Sequence, residues 1–344
     1  MALILRRHLV VRVLAFIALL YTFYGFVGRY RFEKYLDTVQ IGFQDFPADY
    51  AKALNDSVAE GKQPLDFDYA STFTNPKIPR TIHFIWFKNL YTAHEDVTQM
   101  PSVGSRAPEL CRQFNPDYEI RMWNATSARA FLETEYAWFL PTYDGYRYPI
   151  QRIDALKYFA LYHFGGVYMD LDISCRRPLD PLLEFPAWYP EASPLGVNND
   201  LMATAAQHPT MKRMIERLAA YNQNWLFPYL TIFWSTGPHF TSEILRELYR
   251  ESDMRQPSGQ SSKKDADPNT FFVLPQIFYS EQYTFFGHSP GGTWHGSDVA
   301  VILWFVAHPW VLAFVLAGIV GTTIALLKRR SRQMKSRKEH TLPV

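Results

Sequence analysis

Three Asp-x-Asp pairs occur in this chain, Asp66/Asp68, Asp170/Asp172 and Asp265/Asp267. The middle pair sits where two carboxylates can do chemistry, at the end of a short apolar run over residues 167–173. On an extended strand, side chains two apart share a face, so Asp170 and Asp172 can reach one cation or its water shell. Mg2+ and Mn2+ take oxygen ligands and commonly bridge a protein carboxylate to a diphosphate. The pair therefore suits an enzyme whose leaving group is a nucleoside diphosphate. The outer pairs lie in polar sequence and read as solvated loop carboxylates.

Positioning such a pair needs a strand end and something packed behind it. Residues Ile150, Ile153, Leu156, Phe159, Ala160 and His163 recur at helical spacing. Pro149 opens that pattern and Gly165 closes it, which predicts a helix over 149–164. Asp154 and Lys157, three apart, share one face of it. They read either as a surface ion pair or as a polar pair aimed at the cleft where the strand ends. Upstream, residues 81–87 and 118–123 read as strands, and 105–114 and 127–139 as helices, with Pro141 beyond the second. Alternating strands and helices argue for an α/β sheet, whose ligands bind beyond the carboxyl ends of the strands. No internal repeat is visible, and the polar stretch 250–269 reads as a flexible insertion.

The block from Arg152 through Asp172 is similar to the DXD-containing glycosyltransferases of family 32. So are Pro79-Arg80-Thr81-Ile82-His83, Ser235-Thr236-Gly237-Pro238 and the late Gly292-Thr293-Trp294-His295-Gly296-Ser297. The resemblance runs from about residue 78 to 298 and is strongest to the fungal branch that mannosylates inositol phosphorylceramide. It implies a GT-A-like nucleotide-sugar-binding domain and retaining transfer of mannose from GDP-mannose to inositol phosphorylceramide. It also implies Mn2+ (or Mg2+) as cofactor and a polytopic, calcium-responsive regulatory membrane subunit as partner. Two other readings stand beside it: an α-mannosyltransferase of the same family acting on glycoprotein glycans, and a non-catalytic membrane subunit that keeps the fold as a scaffold.

The resemblance also assigns roles. Asp172 is the metal ligand, with Asp170 nearer the ribose and donor sugar, and His295 completes the metal shell, His288 being the reserve. Asp154 and Lys157 hold the donor sugar's hydroxyls; lysine keeps the charge of the arginine common there but not its bidentate fork. Ile82, His83 and Trp86 lie where the first strand meets the base, although His83 and Trp86 suit core packing equally well. Trp294 belongs to the donor site. Asn199 and Asp200 border the reacting sugar carbon, or simply build a turn.

The flanks suggest a membrane setting. With 344 residues and a net charge of +2, the chain is long enough for one domain plus anchors. Residues 13–29 read as an uncleaved signal anchor after a short cytosolic 1–12. Residues 30–77 read as a lumenal stem, and 78–298 as the catalytic domain. Residues 299–327 contain no Asp, Glu, Lys or Arg and read as a transmembrane helix, and 328–344 as a basic cytosolic tail. Because that basic run directly follows the apolar span, nucleic acid is not the expected partner. Positive flanks place both termini in the cytosol and the domain in the lumen of the Golgi or endoplasmic reticulum. Asn55-Asp56-Ser57 and Asn124-Ala125-Thr126 are glycosylation sequons compatible with that side. Cys111 and Cys175 can pair there or remain two buried thiols. The aromatic, uncharged run 225–234 suits either the core or the bilayer interface.

Overall fold

A computed structural model describes residues 2–60, 67–87, 106–251, 263, 266–283, 285–289 and 297–308, with isolated stretches between 310 and 330; side chains are described from residue 16 onward. The chain forms two compact units, Met1–Leu226 with Leu230–Trp294, and Phe227–Tyr229 with His295–Val344. Helices α1 (Ala2–Thr38), α2 (Ala48–Ala59), α3 (Ala107–Phe114), α4 (Ala125–Glu135), α5 (Pro149–Phe164) and α6 (Pro209–Tyr221) precede α7 (Pro228–Ser235) and α8 (Pro238–Glu251). The strands are β1 (Thr81–Ile85), β2 (Glu119–Trp123), β3 (Gly166–Met169), β4 (Ile173–Cys175), β5 (Ala187–Pro190), β6 (Leu201–Thr204), β7 (Phe272–Leu274) and β8 (Phe286–His288). In the second unit, helix α9 (Ser297–Ala307) begins where the Tyr229 amide donates to Asp298 at 2.8 Å.

Six strands make one mixed sheet in the order β2-β1-β3-β6-β5-β7. β1 pairs in parallel with both β2 and β3, β5 pairs in parallel with β7, and β6 runs against β3 and β5. This is the α/β architecture expected of a nucleotide-sugar-binding domain. The reversed strand matters for the site. Because β6 is antiparallel to β3, with Met169 opposite Leu201, the residues before β6 lie at the same sheet edge as those after β3. Asp170 and Asp200 thus become neighbours, and the Asp170 amide donates to the Asp200 carbonyl at 2.8 Å.

The α5 helix begins at Pro149, where the Gln151 side chain accepts the Tyr148 amide at 3.0 Å, and ends at Gly165 with φ 66°. It is buried on nearly every side from Ile153 to Leu161. The following Gly166 has φ 100°, and a Cβ there would stand 2.4 Å from the Thr81 carbonyl. Only glycine lets β3 lie this close to β1. The pair β4 and β8 forms a second, two-stranded sheet. The Cys111–Cys175 disulfide ties α3 to β4, with Cα atoms 4.6 Å apart; of the two alternatives left open for these cysteines, the structure shows the bonded one.

The segment expected as a stem packs into the same core. Phe32, Leu36, Tyr50, Leu54 and Phe73 are all buried in it. Residues Val39 and Ile41 pair with Val273 and so cover the outer edge of β7, an edge that would otherwise be open to pairing with another chain. At its C-terminal end α1 also reaches the loop before β6. Glu33 accepts the Gly196 amide at 2.9 Å, and Arg29 bridges Glu33 and Glu243.

The two transmembrane helices expected at 13–29 and 299–327 are not supported. Among the described residues no helix is long and apolar enough to cross a membrane. The later half of α1 carries Arg29, Arg31, Glu33 and Lys34 and packs into the domain. Most of the expected insertion at 250–269, and Asp66, Asp265 and 331–344, lie outside the described residues.

Candidate active site

The Asp170-Leu171-Asp172 segment is not the end of an extended strand. β3 stops at Met169, and the three residues form a turn, closed by the Ile173 amide donating to the Asp170 carbonyl at 3.0 Å. Turn geometry and the antiparallel neighbour β6, rather than strand periodicity, set where these carboxylates sit. The Asp170 side chain is 35% exposed and accepts the Tyr168 hydroxyl. Burial and the nearby Asp170 charge push Asp172 up to about 6. Two crowded carboxylates of this kind gain from a bound cation.

Beneath the turn lies a buried ion pair. Lys157 and Asp154, with side chains 2% and 5% exposed, meet at 2.8 Å. The ammonium also lies 3.4 Å from Asp170, donates to the Asn199 carbonyl at 3.1 Å, and faces the Tyr168 ring at 4.7 Å. Burial disfavours its charge, but Asp154 and Asp170 outweigh that and hold the amine well above its ordinary range. Burial pushes Asp154 the other way, upward. Three donors converge on it, however: Lys157, the Asn199 amide at 3.2 Å and the Thr236 hydroxyl at 2.9 Å. With every contact a donor, Asp154 acts as the carboxylate counter-ion of Lys157.

Asn199 and Asp200 divide the two roles expected of them. Asn199 is buried, its amide spent on Asp154, on the Tyr158 hydroxyl at 3.0 Å and on the Thr236 carbonyl at 3.3 Å. Asp200 accepts Asn198 and the Tyr279 hydroxyl, each at 2.6 Å and both on Oδ2. Its Oδ1 is buried and meets no hydrogen-bond donor among the described residues. Burial, then the Asp170 charge, pushes Asp200 up to about 7. Tyr279 carries no motif; it reaches Asp200 only through a fold contact 79 residues long.

A cation fits the exposed carboxylates, though incompletely. Among the described residues no three His, Cys, Asp or Glu side chains gather to hold a metal. Asp170 and Asp172 supply two ligands of the hard-oxygen type that suits Mn2+ or Mg2+. His288 lies on β8 opposite Ile173, but its ring nitrogen faces the Tyr279 carbonyl at 3.2 Å. His295 and Trp294 lie outside the described residues.

Two expected donor-site residues belong to the core. Ile82 and His83 on β1 are both 0% exposed. The Trp123 indole donates to His83 Nδ1 at 3.2 Å, which leaves Nε2–H to donate to the Gly165 carbonyl at 2.9 Å. The ring pins the break between α5 and β3, and burial lowers it to about 4. The physical reason is that β1 lies inside the sheet with both faces covered, so alternate residues have no outward side. Trp86, beyond the end of β1, does line an open cleft of about 880 Å3 with Phe87, Trp123, Asn124, Arg129 and Arg152. This cleft lies past the carboxyl ends of β1 and β2, where a nucleotide is expected in an open α/β sheet. Arg152 braces it by donating to the carbonyls of Tyr143, Asp144 and Tyr146.

Residues 101–188, which hold the Asp-x-Asp turn, match the family model described as "Glycosyltransferase sugar-binding region containing DXD motif". The chain is 35% identical over 238 residues to "Inositol phosphoceramide mannosyltransferase 3" of Schizosaccharomyces pombe, covering 69% of this chain and 62% of that one. It is 36% identical over 243 residues to "Mannosyl phosphorylinositol ceramide synthase SUR1" of Saccharomyces cerevisiae, covering 71% and 58%. A third relative, "Inositol phosphoceramide mannosyltransferase 2" of S. pombe, is 33% identical over 276 residues, covering 78% and 73%. The chain belongs to the DXD glycosyltransferase family of the inositol phosphoceramide mannosyltransferases. It spans about 60% of the length of the first two of these relatives. Among solved structures, "PaToxG Glycosyltransferase" aligns at TM-score 0.39 and 16% identity over 59% of this chain and 78% of that one, too loosely to argue from.

Proposed function

We propose that the protein transfers mannose, with retention, from GDP-mannose to inositol phosphorylceramide. The observation that carries this reading is the half-exposed Asp170, set beside Asp172 above the buried Lys157–Asp154 pair, in a chain of this family. The cleft lined by Trp86, Trp123 and Arg152 supports a site for the guanosine moiety, with the diphosphate reaching the Asp-x-Asp turn. A Mn2+ or Mg2+ ion held by Asp170 and Asp172, with His295 as third ligand, would supply Lewis-acid stabilisation of the departing diphosphate. The chain's own residues do the positioning. Lys157 holds Asp170 and the Asn199 carbonyl in place, while Tyr279 and Asn198 fix one oxygen of Asp200 and leave the other buried without a donor among the described residues.

The Cys111–Cys175 disulfide supports work in an oxidising compartment, the Golgi lumen. Exposed Phe16, Leu19, Phe23 and Phe26 on α1, with Trp225 and Leu226 before α7, support a site that works at a lipid surface. A calcium-responsive membrane subunit is the partner the family suggests. Incubating membranes that carry the protein with Mn2+, GDP-mannose and inositol phosphorylceramide tests the reading by mass spectrometry. Mannosylated lipid from the wild type and none from Asp170→Ala/Asp172→Ala is the expected result. No product from either, with the partner supplied, sinks the reading.

A further inference from the structure

The Ser235-Thr236-Gly237-Pro238 segment is the joint between α7 and α8, and nothing so far gives it a task. It is wholly buried up to Gly237, with Thr236 0% exposed. The joint is clasped by one stripe of α5. Gln151 donates to the Ser235 hydroxyl at 2.8 Å, Asp154 accepts the Thr236 hydroxyl at 2.9 Å, and the Tyr158 hydroxyl donates to the Thr236 carbonyl at 2.6 Å. Residues 151, 154 and 158 stand at helix spacings of three and four, so they lie on one face. Asn199 closes the set by donating to the same Thr236 carbonyl and to Asp154.

The consequence concerns Lys157. Its ammonium stands between two carboxylates, nearer Asp154 at 2.8 Å than Asp170 at 3.4 Å. Asp154 holds that share only while its carboxylate is fixed, and the Thr236 hydroxyl is the sole donor on its Oδ2 among the described residues. Freed of that bond, Asp154 can rotate and the ammonium can move onto Asp170. A lysine fully paired with Asp170 would cancel the charge a cation needs there.

We propose that Thr236 is a positioning residue that sets the cation affinity of the Asp170/Asp172 turn by fixing Asp154 and, through it, Lys157. The proposal rests on the transferase reading above and deepens it. The Thr236 hydroxyl is buried and donates to Asp154, so the effect assigned to it runs through that side chain.

The test uses the full-length protein and Mn2+ itself as probe. Thermal unfolding is followed as Mn2+ is raised in the presence of GDP, for wild type, Thr236→Val and Thr236→Ser. The expected result is a roughly tenfold rise in the half-saturating Mn2+ concentration for valine, with serine close to wild type. A valine variant that melts earlier but takes up Mn2+ like wild type would show a merely structural threonine and overturn the proposal. Serine behaving like valine would also overturn it, since the hydroxyl would not be the cause. Should valine fail to fold, Asp154→Asn must show the same weakening of Mn2+ binding, and wild-type affinity in that variant overturns the proposal. A wild type that binds Mn2+ yet makes no mannosylated lipid would count against the transferase reading alone. A wild type that takes up no Mn2+ would defeat both.

Discussion

Replacing Lys157 with methionine removes one charge from a deeply buried ion pair and keeps the volume of its stem. Asp154, 5% exposed, would then be a carboxylate with two neutral donors, Asn199 and Thr236, and no counter-ion. Asp170 is 35% exposed, so water absorbs much of its loss. Breaking a buried pair from one side costs about 3–5 kcal/mol, which for a domain of this size lowers the melting point by roughly 6–20 °C. Removing both charges, as Lys157→Met/Asp154→Asn, leaves no stranded ion. The double variant should therefore lose less than the sum of the singles, by about 2 kcal/mol or more. Urea unfolding of the three variants, read by tryptophan fluorescence, measures all of these terms. A Lys157→Met variant within about 1 kcal/mol of wild type, or strictly additive losses in the double, would refute a buried, charged pair at this position.

Other consequences follow from the same geometry. Burial lowers His83 to about 4 from an ordinary 6.5, so the unfolded chain takes up a proton first as pH falls. The contribution of His83 to stability should be full above pH 6.5 and drop by about 3 kcal/mol as pH falls to 4, against the opposite trend of the raised Asp172 and Asp200 over the same range; His83→Gln should remove that component from a stability-versus-pH curve compared with wild type, and an unchanged slope would contradict the buried neutral ring. The disulfide closes a loop with a separation of 64 residues, worth about 4 kcal/mol by loop-closure entropy, so Cys111→Ala/Cys175→Ala should unfold at clearly lower urea, and a matching midpoint would count against the bond. Gly166→Ala should cost more than about 2 kcal/mol, since its Cβ must displace the Thr81 carbonyl, and calorimetry showing wild-type stability would disprove the close approach of β1 and β3.

Much of this arrangement is legible in the sequence where a local rule acts. The α5 helix falls at 149–164 as its Pro, its apolar spacing and its Gly predict, and β1 and β2 lie within the expected stretches. Asp68 and Asp267 do bond backbone amides in polar turns, as solvated carboxylates would. The rule fails where the outcome depends on distant chain. Helical spacing puts Asp154 and Lys157 on one face but does not say that the face is covered by Asn199 and Thr236, 45 and 82 residues on from Asp154. The sequence leaves His83 between the base site and the core, and the core wins because β1 has strands on both sides and α5 against it. The Asp-x-Asp pair reads as strand, yet the chain turns after Met169 because β6 returns antiparallel beside it. Cysteine spacing alone could not choose between thiols and a bond, because the choice rests on α3 meeting β4.

The grip of α1 on the loop before β6 bears on how this protein can be shortened. A fragment beginning at residue 78, where the family resemblance starts, would strip Phe32, Leu36 and Tyr50 from the core and uncover the β7 edge. It would also remove the Glu33 carboxylate that holds the Gly196 amide, three residues before Asn199. A version trimmed at residue 28 keeps Arg29 and Glu33 and drops exposed apolar residues from Phe16 to Phe26. The shortest piece that preserves the site therefore starts inside the first helix, ahead of the region in which its chemistry can be recognised.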